Sequence, residues 1–225
     1  MTVKEIVKLL KQNGSEHNRK GMARYGIKVD NAFGVSAPVI RSIAKEIGIK
    51  HELAKELWNC GVHEAHHIAA LTADPKLTTK SMMNKWVRDL YSWDICDSTC
   101  SNLFRKTDYA IDMIFEWTDN KKEFVRRAGF SLIAFVAVHH KKRSDEEFLP
   151  FLALIVKHSN DERNMVKKAV NWALRQIGKR SMFLNREALD TAYQIKKFDS
   201  KSARWIASDA IRELTNEKIV ARIKR

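Results

Sequence analysis

The chain has 225 residues, with 41 Lys and Arg against 27 Asp and Glu, and a formal net charge of +14. This excess of positive charge favours a polyanionic ligand, and nucleic acid is the leading class. No apolar stretch approaches the roughly 18 residues of a membrane span, so a membrane-spanning protein is not expected. The three cysteines form no CxxC pair and the N-terminus lacks the apolar segment of a secretory signal, so we expect a soluble cytoplasmic protein.

Helical periodicity dominates the chain. It contains only eight Gly and three Pro, which leaves little turn chemistry for a sheet protein, while apolar residues recur at the helical spacing almost everywhere. The expected fold class is therefore all-α. Helices are predicted at about residues 2–12, 37–47, 51–60, 64–73, 77–90, 93–105, 108–118, 122–138, 145–158, 162–179, 185–196 and 200–214.

Two of these helices share a sequence pattern. VRRAGFSLIAF begins at Val125 and VKKAVNWALRQI at Val166, an offset of 41 residues, and ARWIASDAIREL continues the pattern from Ala203 after a further 37. Offsets of this size are typical of HEAT or armadillo helix pairs, which stack into an α-solenoid with a concave face for a long ligand. We therefore predict a solenoid (superhelix) of HEAT-like antiparallel helix pairs with a basic concave face.

The segment HEAHH, from His63 to His67, satisfies the H-E-x-x-H pattern, in which two His bind zinc and Glu acts as a base. So short a motif often arises by chance, and no third ligand in a suitable downstream context is apparent. Its histidines also begin the apolar stripe that Ile68 continues. We interpret them as partly buried or surface residues of a packed helix and predict no metal site and no cofactor.

The helix predicted at residues 162–179 carries a stripe of another kind. Lys168, Trp172, Arg175 and Lys179 share one side, opposite a broad apolar stripe. One interpretation is a phosphate-binding stripe with an aromatic ring that can lie against sugar or base. The alternative is that a neighbouring helix covers Trp172.

Arg127 stands in the otherwise apolar helix predicted at residues 122–138. Its neighbours on the helical wheel, Ser131 and Ala134, are small and leave the guanidinium room to reach a ligand. The alternative is a salt bridge to Glu123, one turn away, which would contribute little.

The segment SWDICDS, residues 92–98, begins another helix. If Ser92 is its N-cap, Asp94 is explained as an acid favoured by the helix N-terminus. Asp97 lies beyond that first turn, four residues after Trp93, so the ring and the carboxylate are neighbours on one face. This pair is a candidate edge of a cleft.

Four segments together resemble a known family. They are Met22-Ala23-Arg24-Tyr25 with FGVSAP at Phe33–Pro38, SWDICDS, FVRRA at Phe124–Ala128, and KKAVNWALR at Lys167–Arg175. The chain resembles, over nearly its whole length, the AlkD-like family of DNA alkylation repair proteins, which are DNA glycosylases built from HEAT-like repeats. The resemblance implies a single repeat domain spanning residues 1–225.

It also implies a function. In that family an Asp, two Trp and an Arg surround the lesion, and these correspond here to Asp97, Trp93, Trp172 and Arg127. The implied activity is excision of cationic N3- or N7-alkylated purines from double-stranded DNA in base excision repair, by a monomer. Further DNA contacts are expected from Tyr25, Ser36, Lys168, Arg175 and Lys179.

The chain departs from the family pattern at two positions. Ser92 stands where the best-known members have the first Trp of a pair, and Ser36 stands where they carry Gln. Two alternatives therefore remain: a DNA-binding HEAT-repeat protein without glycosylase activity, and a scaffold that binds an acidic protein partner.

Overall fold

The computed structural model of the protein describes residues 1–223, and every regular element within them is helical. The α-helices of the described chain are α1 (Val3–Gln12), α2 (Glu16–Arg24), α3 (Ala37–Ile47), α4 (His51–Asn59), α5 (His63–Thr72), α6 (Lys80–Asp89), α7 (Trp93–Asn102), α8 (Ala110–Thr118), α9 (Glu123–His139), α10 (Leu149–His158), α11 (Asn164–Gly178), α12 (Met182–Lys196), α13 (Lys201–Leu214) and α14 (Glu217–Val220). Short 3-10 turns occur at Phe104–Lys106 and Glu146–Phe148. The predicted all-α class is confirmed.

Backbone contacts divide the chain into two compact units, Met1–Ala110 and Ile111–Arg225. Each unit has its own helices and buried apolar residues and is described by itself below. The assignment of residues 1–225 to one domain stays a prediction. Among the described helices, none combines the length and apolarity needed to cross a membrane.

In the first unit, α5 is the central helix. It packs against α3, α4 and α7, and its apolar residues Ala65, Ile68 and Ala69 are completely buried. Because neighbours surround α5 on several sides, its polar residues His63 and Glu64 are buried as well. Buried polar groups need hydrogen-bond partners, so we expect His63 and Glu64 to bind groups on neighbouring segments.

The helix α2 is absent from the sequence-based prediction, and its composition explains why. Its sequence, EHNRKGMAR, contains no buried residue and no apolar stripe. The helix is set instead by Ser15, whose hydroxyl accepts from the backbone N–H of Asn18 at 3.3 Å, and by the Asn18 amide, which donates to the Gly34 carbonyl at 3.0 Å. Capping and one long-range contact therefore define this helix, which has no apolar period in its sequence.

In the second unit, α11 packs between α9 and α13. These are the helices that carry the three similar segments beginning at Val125, Val166 and Ala203, and all three of those residues are buried. Equivalent positions therefore occupy equivalent places in successive helix pairs, which confirms the repeat interpretation for this part of the chain.

Arg180 ties two segments of the second unit together. Its guanidinium donates to the backbone carbonyls of Ala137, His140 and Arg143 at 3.0, 3.0 and 2.6 Å, and it lies 4.4 Å from the centroid of the Phe148 ring. One guanidinium thus supplies hydrogen bonds to carbonyls in the last turn of α9 and in the loop that follows it. This role requires the several N–H donors of arginine.

Asp161, in the loop before α11, forms ion pairs with two arginines. Arg126 and Arg163 donate to its carboxylate at 2.8 and 2.5 Å. Burial on its own would raise the pKa of Asp161, but the hydrogen bonds from Arg163 and Arg126 outweigh burial and lower the pKa to about 2. This ion-pair cluster joins α9 to the loop before α11.

Candidate functional site

The helix α7 presents Trp93 and Asp97 one turn apart, both partly exposed. The indole Nε1 of Trp93 donates to the Tyr25 carbonyl at 3.1 Å, which holds the ring against the end of α2. Tyr25 itself is 74% exposed. Ser92 occupies the N-cap position as predicted, but its hydroxyl donates to the Asp94 carboxylate and accepts from no backbone N–H of the helix.

A cavity of about 650 Å³ lies within the first unit, with a mainly apolar wall. Three of the residues predicted to contact DNA or the lesion, Tyr25, Ser36 and Trp93, line it. The structure therefore brings together segments that are 68 residues apart between Tyr25 and Trp93. The cavity is within the size range of ligand pockets.

His63, His67 and Asp94 meet on the wall of the same cavity. The Nε2 atoms of His63 and His67 lie 2.8 and 3.2 Å from one carboxylate oxygen, Oδ2 of Asp94. Burial would raise the pKa of Asp94, but the hydrogen bonds from His63 and His67 and their electrostatic attraction for the carboxylate outweigh it and hold the pKa well below its usual range.

Asp94 is therefore more than the helix-start acid that the sequence suggested. The two histidines of HEAHH are likewise more than the ordinary packing residues predicted from the sequence, because they share Asp94 as a partner. The available signal was their spacing of four residues, which places both imidazoles on one face of α5. The partner could not be read from the sequence, since Asp94 lies 27 residues beyond His67.

The Glu64 of HEAHH has a structural role. It is almost completely buried, and its Oε1 accepts from the backbone N–H groups of Phe33, Gly34 and Val35 at 2.9, 2.7 and 3.1 Å. Gly34 has a φ of 78°. A carboxylate so engaged is not positioned to act as the base of a metalloprotease, and it fixes the loop that leads to Ser36.

In the second unit, Arg127 and Trp172 lie on the neighbouring helices α9 and α11. Arg127 is 5% exposed, and its Nη1 donates to the Met165 carbonyl at 2.8 Å. Trp172 is partly exposed and meets Phe135 edge to face, with ring centroids 4.9 Å apart. A neighbouring helix thus covers one edge of Trp172 and leaves part of the ring accessible.

The predicted cationic stripe of α11 has carboxylate partners. Arg175 donates to Glu213, and Lys179 donates to the same carboxylate at 2.6 Å. Burial would raise the pKa of Glu213, but these hydrogen bonds outweigh it and lower the pKa. Lys168 is exposed. The charges of Arg175 and Lys179 are therefore partly balanced within the protein.

Comparison with known proteins bears on this arrangement. The model of the family described as DNA alkylation repair enzyme matches residues 6–214. The chain belongs to this family. No curated protein matches the chain significantly.

Among solved structures, the chain resembles a protein described as belonging to "a new family of proteins related to the HEAT-like repeat DNA glycosylases with affinity for branched DNA structures". The identity is 21%, the TM-score is 0.79, and the match covers 100% of this chain and 98% of the other. At this identity the likeness shows the fold. A designed armadillo repeat protein in complex with the peptide (KR)4 matches at 16% identity, with a TM-score of 0.40 and coverage of 82% and 78%.

The four residues assigned by resemblance to this DNA alkylation repair family divide between the two units. Trp93 and Asp97 belong to the first, and Arg127 and Trp172 to the second. Each pair is formed within its unit, on one helix in the first case and on two packed helices in the second. Their meeting around one nucleotide stays a prediction.

Proposed function

We propose that the protein is a DNA glycosylase that excises cationic N3- or N7-alkylated purines from double-stranded DNA. The observation that carries the proposal is the Trp93–Asp97 pair on α7, in a chain that belongs to the DNA alkylation repair family. The Tyr25 carbonyl accepts from the indole, so the Trp93 ring is held in place before any ligand arrives.

The chemistry of such lesions suits this pair. An N3- or N7-alkylated purine carries a positive charge and leaves as a neutral base, so no strong general acid is required. As the glycosidic bond breaks, positive charge develops on the deoxyribose, and a fixed carboxylate stabilises it. In this proposal Asp97 supplies that carboxylate and positions the attacking water, and Trp93 adds cation–π attraction.

The second unit supplies the remaining groups in this proposal. Trp172 flanks the lesion with its accessible face. Arg127 holds the adjacent backbone phosphate, for which its guanidinium, 5% exposed and bound to the Met165 carbonyl, must turn outwards. Lys168, Arg175 and Lys179 contact further phosphates, while Tyr25 and Ser36 approach DNA from the first unit. Because Glu213 already binds Arg175 and Lys179, phosphate must compete for them, and exposed Lys168 should contribute more to the salt dependence of binding.

The decisive experiment measures base release from methylated duplex DNA under single-turnover conditions. The wild type should release alkylpurine. Asp97→Asn should lower the rate about 100- to 1,000-fold, the range for removal of one preorganised electrostatic group, while DNA affinity is retained. Asp108→Asn, an exposed acid of the same unit, is the matched control and should release base at the wild-type rate. Equal rates for Asp97→Asn and Asp108→Asn would contradict the role of Asp97.

A second candidate is DNA binding without catalysis, with the affinity for branched DNA that is described for the similar solved structure. It is favoured by Ser92 and Ser36, which stand where the best-known family members have Trp and Gln. Binding of four-way junctions and plain duplex should be compared alongside base release. Tight, salt-dependent binding with no released base from any alkylated duplex would establish the binding protein and exclude the glycosylase.

A further inference from the structure

The cluster of His63, His67 and Asp94 has the composition and geometry of a metal-ligand set. One ligand atom from each residue, an imidazole nitrogen or a carboxylate oxygen, lies within 4.8 Å of the other two. The contributing helices α5 and α7 pack directly on each other, so the three groups are held by buried secondary structure and not by loops. We propose that these three residues bind a divalent transition-metal ion on the wall of the first unit's cavity.

The distances match a small coordination sphere. In a tetrahedral site with metal–ligand bonds of about 2.0–2.2 Å, neighbouring ligand atoms lie about 3.2–3.6 Å apart. The two imidazole nitrogens lie 2.8 and 3.2 Å from Asp94 Oδ2. To admit the ion, each nitrogen must move away from Oδ2 by a few tenths of an ångström, and the two nitrogens, which lie within 4.8 Å of each other, must take up the same spacing.

The groups behind the ligands are arranged as a metal site requires. His63 Nδ1 lies 3.2 Å from the Tyr91 hydroxyl, which can accept from Nδ1–H and so leave Nε2 free to coordinate. Ser92 donates to the second carboxylate oxygen of Asp94 and leaves Oδ2 as the ligand atom.

The fourth position would face the cavity. His63, His67 and Asp94 all line it, so a water molecule or a small anion could complete the coordination. Two imidazoles and one carboxylate suit Zn²⁺, Fe²⁺ or Co²⁺, whereas Mg²⁺ and Ca²⁺ prefer oxygen ligands alone. The bound ion would also join α5 to the first turn of α7, immediately beside Trp93, and would stabilise the first unit whether or not the protein is a glycosylase.

The test uses the full chain, expressed without a histidine tag, and titration calorimetry with Zn²⁺. The wild type should bind one equivalent, and Co²⁺ should give the visible absorption of a tetrahedral or five-coordinate site. His67→Gln and Asp94→Asn should each weaken Zn²⁺ binding by more than about 100-fold, because loss of a group that only supports a ligand already costs about 10- to 100-fold. His17→Ala removes a different imidazole from the same cavity and should bind like the wild type.

Thermal unfolding followed by circular dichroism tests separately whether each variant folds and whether Zn²⁺ stabilises it. Zn²⁺ should raise the melting temperature of the wild type and of His17→Ala, and should leave that of the two ligand variants nearly unchanged, since only a bound ion stabilises the folded state. If His67→Gln does not fold, Asp94→Asn decides alone, because it keeps the shape of the side chain. No Zn²⁺ binding by the wild type, equal binding by all variants, or equal affinity for Mg²⁺ would overturn the proposal.

Discussion

Removal of the Glu64 side chain should be among the most damaging single changes in the first unit. Its carboxylate serves three backbone donors, those of Phe33, Gly34 and Val35, and the residue is 1% exposed. Each buried donor left without an acceptor costs about 1–3 kcal/mol. Three such donors give about 3–9 kcal/mol, and water entering the vacated space recovers part of this. We expect Glu64→Ala to lower the free energy of unfolding by about 3–5 kcal/mol.

The assay is urea denaturation followed by circular dichroism, with Glu56→Ala as the control, because Glu56 is an exposed glutamate of α4 in the same unit. Glu56→Ala should change the free energy of unfolding by less than about 0.5 kcal/mol. Amide exchange should also accelerate at Phe33, Gly34 and Val35 in Glu64→Ala. A loss below about 1 kcal/mol, with those amides still protected, would refute the assignment of Glu64 as their essential acceptor.

Four further substitutions can be judged by the same denaturation assay. Gly34→Ala should cost about 2 kcal/mol or more, because a Cβ there would lie 2.2 Å from the Ser15 carbonyl oxygen at a positive φ. Gly21→Ala, inside α2 with nothing within 4 Å of the added Cβ, should instead gain about 0.5–1 kcal/mol. Arg180→Met should cost about 2–4 kcal/mol, since several carbonyls lose their donor; a change below about 0.5 kcal/mol would contradict that role. The pKa of Asp161 is about 2 in the folded state, so its contribution to the free energy of unfolding is present above about pH 4 and is lost as the pH falls towards 2. The free energy of unfolding of Asp161→Asn should therefore fall less steeply than that of the wild type between about pH 4 and 2. An equal slope in the two proteins would refute the ion-pair account.

Most helices were predictable because burial of one face imposes a 3.6-residue period on the sequence. The strongest cases are α9 and α11, whose similar segments also gave the repeat spacing. Two short helices were not predicted, α2 and α14, and neither contains a buried residue. Without buried apolar residues there is no period to read, and only capping residues mark such a helix.

The predicted first residue of a helix was less accurate where the capping residue lies outside the apolar pattern. The helix predicted at residues 185–196 begins at Met182. Ser181 caps it, accepting from the Leu184 N–H at 3.1 Å, and its hydroxyl also donates to Asp145 at 2.5 Å. The capping residue was visible in the sequence, but Asp145, 36 residues away, was not.

The residues of the candidate site illustrate the same limit. The spacing of Trp93 and Asp97, and the placement of Trp172 on the polar side of α11, followed from helical geometry and from the family resemblance. The partners of these segments did not. Glu213 binds Arg175 and Lys179 from a helix more than 30 residues away, so the cationic stripe is less free than its sequence implies.

The sequence by itself determined the all-helical class, the repeat spacing, the family and the Trp93–Asp97 pair, because each depends on local periodicity or on a continuous motif. The tertiary structure alone decided which polar groups meet across helices. It directed Glu64 to the backbone around Gly34, and it brought Asp94 to the two histidines of α5. These contacts arise because a buried polar group must find a partner wherever packing brings one within reach, and no local pattern records which residue that is.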